Sequence, residues 1–328
     1  MSMPITLAAV LKEAPEALRA EGLSWPLLAG VIAAALSSWL AITVLLRYCQ
    51  QAQLRHLCAV PRATRRRGVL HARDARLSGR APGGQGRMSA PSPQLARTLG
   101  LERLDYHVRV TSTMDVAHSL AEAHAPAGTL VLASAQSSGR GRSGKAWVSE
   151  PDAGLWCTLL ERPADIRALD VLALRVGLEL AVALTPLVDG DIQLKWPNDL
   201  QIARRKLGGV LIEVRWRDGQ PEWVAIGVGI NRVLPRDVPD VTCVRGDISR
   251  DALLTAVVPA LRRAAACAGP LSADECEAWT ARDAALGRRI SAPVVGRVVG
   301  LTPEGGLLVQ DGHEPVQVVT SGSLVFAT

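Results

Sequence analysis

The six cysteines of this 328-residue chain, Cys49, Cys58, Cys157, Cys243, Cys267 and Cys276, include no Cys-x-x-Cys pair and no framework spacing. A disulfide scaffold is therefore not expected, and each thiol reads as a small apolar residue in a reducing compartment. The six histidines form no ligand pair, so no metal site is expected. No serine or cysteine stands in the setting of a nucleophilic triad. The main body also lacks an excess of positive charge. The net +6 belongs to residues 1–87, with 12 Lys/Arg against 4 Asp/Glu, whereas residues 88–328 carry 25 against 27. A nucleic-acid partner would call for a basic footprint on that body, so none is expected.

What the first quarter does contain is Gly22–Leu46, 25 uncharged and mostly apolar residues, long enough to cross a bilayer as a helix. Ten arginines from Arg47 to Arg87 follow it, opposed only by Asp74. The positive-inside rule places everything after residue 46 in the cytoplasm, anchored to the inner membrane by residues 22–46. A second reading stands beside this one: Met88 is the true start, and residues 1–87 are a spurious extension whose Arg/Gly-rich end has the composition of a linker.

From about Leu95 the pattern is that of a mixed α/β domain. A helix is expected from Ser112-Thr113-Met114-Asp115 to Ala125, with its start matching a capping box. Strands are expected at Thr129–Ala135, Gly154–Glu161, Asp191–Trp196, Lys206–Trp216 and Glu222–Ile230. Further helices are expected at Ala168–Leu187, Asp251–Ala268 and Ala273–Leu286. Beyond Arg288 short apolar runs broken by Gly and Pro predict a small all-β unit, with strands near Val294–Gly300, Gly306–Gln310, Val316–Thr320 and Ser323–Phe326.

Three constellations carry chemistry. In Gln136-Ser-Ser-Gly-Arg-Gly-Arg-Ser-Gly-Lys-Ala-Trp147, glycines 139, 141 and 144 allow close backbone approach, and Arg140 and Arg142 can fork onto a carboxylate or phosphate. Lys195-Trp-Pro-Asn-Asp199 puts a compact cation at a strand end, with Asn198 and Asp199 offering oxygens for a turn or for Mg²⁺. Lys206-Leu-Gly-Gly-Val-Leu-Ile-Glu213 opens a strand with Gly208 and Gly209, which permits contact with a flat ligand or marks a bulge. Gly227-Val-Gly-Ile-Asn231 likewise ends a strand in an amide. Each has an ordinary reading too: a solvated basic loop, a strand-ending turn, a bulge.

In their order along the chain these motifs, with the Ser-Thr-x-Asp helix start, resemble the biotin protein ligases, biotin–[acetyl-CoA-carboxylase] ligases of the type that lacks a helix-turn-helix domain. The likeness spans about residues 95–328. It implies an α+β fold, a mixed sheet with packed helices over residues 91–287 and an SH3-like β-barrel over 288–328, with residues 1–90 holding the hydrophobic segment and linker. It implies ATP-dependent activation of biotin to biotinyl-5′-AMP, with Mg²⁺ as the counter-ion of ATP, and transfer to a lysine of the biotin carboxyl carrier protein of acetyl-CoA carboxylase or related carboxylases.

Carried onto this sequence, the resemblance makes Lys195 and Arg142 catalytic. Biotin would be held by Ser112, Thr113, Met114, Gln136, Gly139, Arg140, Gly141, Arg142 and Lys195, and the adenylate by Arg142, Trp147, Asn198, Lys206, Gly208, Gly209 and Asn231. Met114 stands where the family often has Asn, and Ser143 where a basic residue is common. A lipoate or octanoyl transferase on the same fold and a biotin-responsive repressor are the alternatives. The oligomeric state is left open, a homodimer included.

Overall fold

Thr129–Gln136 and Gly154–Glu161, two apolar runs buried on both faces, lie side by side inside a seven-stranded sheet. They belong to a computed structural model that describes residues 91–163 and 165–327. The hydrophobic segment 22–46 and the Arg-rich stretch after it lie outside the described residues. Among the described residues no helix is long and apolar enough to cross a membrane.

After a short helix α1 (Pro93–Thr98), the large sheet is built from β1 (Arg103–Val110), β2 (Thr129–Gln136), β3 (Gly154–Glu161), β4 (Gln193–Lys195), β5 (Asp199–Ile202), β6 (Arg205–Arg217) and β7 (Gln220–Asn231), in the order β1-β2-β3-β7-β6-β5-β4. Only β1 and β2 run parallel, and every other pair is antiparallel. The long β6–β7 hairpin turns at Asp218-Gly219, both in the left-handed region (φ 50° and 76°). A two-residue turn with that twist matches the twist of its strands.

Side chains alternate across the sheet. One set, including Leu130, Leu132, Leu159, Ile226 and Ile230, packs with α3 (Leu172–Leu184) and α4 (Arg250–Ala266) into the main core. The other face carries α2 (Thr113–Glu122), packed against β2, β3 and β7. That second face holds the site.

A buried cation fixes the helical layer. Arg175 on α3 is 2% exposed and donates to both Glu275 carboxylate oxygens, at 2.5 and 3.0 Å, and to the Pro270 carbonyl at 2.9 Å. Glu275 also closes a capping box with Ser272 at the start of α5 (Ala273–Thr280). A buried charge is tolerated only when paired in this way.

The C-terminal residues form a second, five-stranded antiparallel sheet: β8 (Arg289–Ala292), β9 (Gly296–Leu301), β10 (Leu307–Gln310), β11 (Gln317–Val319) and β12 (Val325–Phe326), in the order β11-β10-β9-β8-β12.

Several expected boundaries shift. The helix expected at Ala168–Leu187 is split: a 3₁₀ turn at Ile166–Ala168, then α3, then a 3₁₀ turn at Thr185–Leu187 that contains Pro186. The helix expected to reach Leu286 stops at Thr280. Residues 282–284 leave it to cover the outer edge of β4, where Leu194 N–H donates to the Arg282 carbonyl and Ala284 N–H to the Leu194 carbonyl. An open edge is a liability, and this segment covers it. Strands β1, β5 and β8 were not expected. The start of α2 is also capped differently from a capping box: Ser112 Oγ accepts from Met114 N–H at 3.3 Å, and Asp115 turns to Arg140.

Candidate active site

Glycines make the floor. Gly209 on β6 and Gly227 and Gly229 on β7 line a pocket of about 180 Å³ on the α2 side of the sheet. A side chain at Gly229 would lie 2.6 Å from the Trp147 indole, and one at Gly227 would lie 2.7 Å from the Met114 methyl group. Trp147 and Met114 therefore rest directly on backbone.

One end of the pocket is neutral and fully knitted. Thr113, at the N-terminus of α2, donates its N–H to Gln136 Oε1 at 2.8 Å and its hydroxyl to the same oxygen at 3.2 Å. Thr158, wholly buried on β3, donates to Thr113 Oγ1 at 2.9 Å, and Gln136 Nε2 donates to Ser149 Oγ at 2.8 Å. Each donor orients the next.

The other end is cationic. Arg142, Lys145 and Lys206 line it together with Asn198, Asp199 and Ser323. Arg142 donates to Asn198 Oδ1 and to the Gly322 carbonyl, both at 3.4 Å, so it joins the Gly-Arg loop to the turn after β4 and to the C-terminal sheet. Burial pulls its guanidinium below the ordinary range against the opposite pull of Asp199. Lys206 Nζ pairs with Asp199 at 2.7 Å and stands 4.9 Å over the Trp147 ring.

The Gly-Arg loop is a small ordered hairpin. Trp147 N–H donates to the Gly139 carbonyl and Gly141 N–H to the Lys145 carbonyl, both at 2.8 Å, with Ser143 (φ 55°) and Gly144 (φ 74°) at its tip. Gly139 is required by space, because a side chain there would lie 2.5 Å from the Trp147 carbonyl and 3.0 Å from Gln136 Nε2. Arg140 is already engaged by two carboxylates, Asp115 at 2.9 Å and Glu213 at 3.2 Å.

The expected residues thus divide. Ser112, Thr113, Met114, Gln136, Arg140, Gly141, Arg142, Trp147, Asn198, Lys206 and Gly209 line the one pocket. Gly208 does not: its bare Cα faces Ile230, where a side chain would lie 2.5 Å from Cδ1. Asn231 lies on the far side of Trp147 and Lys206, along a second cavity of about 150 Å³, and its amide ties the Lys206 and Thr242 carbonyls at 3.2 and 3.0 Å.

Lys195 is outside the pocket lining as well. Its ammonium stands 5.4 Å from the Phe326 ring centroid, and the neighbouring Trp196 indole donates to the Gly305 carbonyl at 3.0 Å. Burial lowers its pKa from the usual 10.5, Asp199 opposes this, and Lys206, Lys145 and Arg288 add to it.

Sequence reasoning missed Thr158, Lys145 and Ser323. Thr158 had a signal, as the one hydroxyl within the apolar run Leu155–Leu160. Ser323 had none, because only the folded C-terminal sheet brings it to the pocket.

The indole N–H of Trp147 is buried without a hydrogen-bond partner, which leaves one donor of the site unsatisfied. Among the described residues no cluster of three or more His, Cys, Asp or Glu is placed to hold a metal ion.

Residues 106–231 match the family model for the Biotin/lipoate A/B protein ligase family. The chain is 36% identical over 147 residues to the bifunctional ligase/repressor BirA of Bacillus subtilis, covering 42% of this chain and 43% of that protein. It is 35% identical over 122 residues to the biotin–[acetyl-CoA-carboxylase] ligase of Mycobacterium tuberculosis, covering 35% of this chain and 44% of that protein. These matches span less than half the length of either relative. Among solved structures, the biotin protein ligase from Aquifex aeolicus in complex with biotin and ATP superposes with a TM-score of 0.57 at 25% identity, over 69% of this chain and 99% of that one.

Proposed function

We propose that the chain activates biotin with ATP to biotinyl-5′-AMP and transfers the biotinyl group to a lysine of a biotin carboxyl carrier domain. The observation that carries this reading is the two-ended pocket: a neutral hydrogen-bonded end at Thr113, Gln136 and Thr158, and a cationic end at Arg142, Lys145 and Lys206, under one hairpin. A ligand with a uncharged polar ring at one end and a carboxylate at the other fits that polarity. The names of the relatives, which include a biotin–[acetyl-CoA-carboxylase] ligase and a biotin- and ATP-bound ligase, point to the same chemistry.

In this reading the ureido ring lies by Ser112, Thr113 and Gln136, with Met114 and the glycine floor beneath. Gly139, Arg140 and Gly141 belong to the hairpin above, and Trp147 and Asn231 border the nucleotide base. The biotin carboxylate oxygen attacks the α-phosphorus of ATP and pyrophosphate leaves. Both reactants are anions, so the step needs fixed positive charge, which Arg142, Lys145 and Lys206 supply at this end, with Lys195 close outside the lining. Asp199 is the single carboxylate lining the pocket, a donor set that suits Mg²⁺ shared with phosphate oxygens. That ion would neutralise phosphate charge.

The product is a mixed anhydride, and the hairpin keeps water from it. The ε-amine of the acceptor lysine then attacks the biotinyl carbonyl carbon, an amide C–N bond forms, the acyl C–O bond breaks with its electron pair leaving on AMP, and the amine releases a proton to solvent. We read the C-terminal sheet as an SH3-like barrel over residues 288–328 that closes the cationic end through Gly322 and Ser323.

The test is incubation of purified protein with ATP, Mg²⁺ and either biotin or lipoate. Pyrophosphate release that requires biotin, followed by a biotin-sized mass increase on one lysine of a carrier domain, supports the proposal. Release that requires lipoate instead assigns the chain to lipoate activation.

A further inference from the structure

Glu213 ends the Lys206–Glu213 motif, yet it does not line the pocket. It sits on the α2 side of β6 in contact with two groups, His118 and Arg140. His118 Nε2 lies 2.9 Å from its Oε2, Arg140 Nη2 lies 3.2 Å from the same oxygen, and Arg140 also reaches Asp115 at 2.9 Å. Behind His118 the Trp223 indole N–H donates to Nδ1 at 2.9 Å.

The proton positions follow from what each group can do. An indole N–H only donates, so Nδ1 of His118 must accept, and the ring proton sits on Nε2. A carboxylate only accepts, so Nε2–H donates to Glu213. Trp223 is 2% exposed, packed with Ala121, Ala125 and Leu160 in a small second core. The series therefore runs from a rigid anchor, through a ring of fixed tautomer, to a carboxylate aimed at Arg140. The hydrogen bond from His118, more than the charge of Arg140, holds the Glu213 carboxyl below the usual carboxylate range.

We propose that Glu213 is a positioning residue that latches the Gly139–Trp147 hairpin over the pocket through Arg140, with His118 and Trp223 fixing its orientation. Arg140 then acts as the tether of the lid, and Arg142, one residue beyond Gly141, remains the residue that faces the charged end of the ligand. This rests on the proposed activity only for its consequence, retention of the activated intermediate. The latch itself is a property of the protein without ligand.

The experiment uses the full chain and the substitutions Glu213→Gln, Arg140→Gln and both together. Glu213→Gln keeps the shape and removes the charge, and a thermal melt checks that each variant is folded. Two readouts are taken: amide hydrogen exchange of residues 139–147 without ligand, and the rate at which biotinyl-adenylate escapes after a single turnover. All three partners are partly exposed, so the effect is modest. Glu213→Gln is expected to speed both hairpin exchange and escape roughly three- to fivefold, while exchange in β2 and β3 stays unchanged.

The double variant is expected to be no faster than Arg140→Gln alone, which a merely structural role of Glu213 would not produce. Unchanged hairpin exchange in Glu213→Gln, or additive effects in the double variant, would overturn the latch. A wild-type protein that forms no adenylate would overturn the proposed activity instead, and the exchange data would still decide the latch.

Discussion

Thr113 N–H donates to Gln136 Oε1 at 2.8 Å, tying the first turn of α2 to the last residue of β2. One side-chain oxygen thereby satisfies a helix-start amide and, through the Thr113 hydroxyl, extends to Thr158 on β3. Removing it strands the Thr113 amide, which is 4% exposed. Gln136→Ala is expected to weaken biotin binding by about 1–3 kcal/mol, or roughly fivefold to 150-fold, as read by calorimetric titration. Unchanged affinity would mean the ring of the ligand lies elsewhere.

The glycine floor gives a paired contrast. At Gly229 a side chain meets the rigid indole of Trp147 at 2.6 Å, whereas at Gly227 it meets the terminal methyl group of Met114 at 2.7 Å. A flexible chain end moves at little cost and an indole does not. Gly229→Ala is expected to shift the tryptophan emission and reduce adenylation at least about tenfold, while Gly227→Ala stays within about threefold. Equal effects at the two positions would contradict the placement of Trp147.

Lys195 leads to a prediction in pH. Burial and three neighbouring cations lower its pKa from 10.5, so its charge is lost earlier than that of a solvated lysine as pH rises. If that charge serves adenylation, the rate falls along an alkaline limb that begins below pH 10.5, and Lys195→Arg moves the limb upward because a guanidinium stays charged. The pH profiles of pyrophosphate release for the two proteins decide it. Superimposable alkaline limbs would remove Lys195 from that role.

Asp283 predicts a change in stability. Burial raises its pKa from 3.8 to about 6, although its carboxylate accepts from Ala285 N–H at 2.8 Å. Between those values the folded protein holds a proton that the unfolded chain has lost, so stability decreases as pH rises from about 4 to about 6. At about 1.4 kcal/mol per pH unit the loss is bounded near 3 kcal/mol. Asp283→Asn keeps the acceptor and removes the charge. It is expected to raise stability at pH 7 by about 1–3 kcal/mol and to leave it nearly unchanged at pH 4, measured by denaturant unfolding. Equal stability of the two proteins at both pH values would contradict this.

The site was more legible in the sequence than the edges of the fold were. The Gly-Arg hairpin, Gln136 and Lys206 announced themselves by residue type and order, and the pocket brings most of them together. Gly208 and Gly209 are adjacent on the strand and face opposite sides, so of the two only Gly209 lines the pocket. Asn231 lies along the neighbouring cavity beside Trp147 and Lys206, with its amide held by two carbonyls. Strand β5 escaped notice because its turn into β6 uses Ala203 and Arg204 at φ 48° and 66°, where no Asn-Gly or Asp-Gly marks it. Strand β1 escaped because it lies at the sheet edge and mixes charged with apolar residues, with Val108 73% exposed. Ser323 and Phe326 join the cationic end through long-range contacts that no local pattern encodes.

Biotin spanning the pocket, with its carboxylate meeting ATP at the cationic end, is tested most directly by a single-turnover assay. Wild-type protein mixed with biotin, Mg²⁺ and ATP labelled at the α-phosphate is expected to form one protein-bound biotinyl-adenylate per site with equal release of pyrophosphate. Arg142→Gly is expected to form it and lose it to solvent. Absence of labelled adenylate with biotin present, or its formation at the same rate without biotin, would contradict the account.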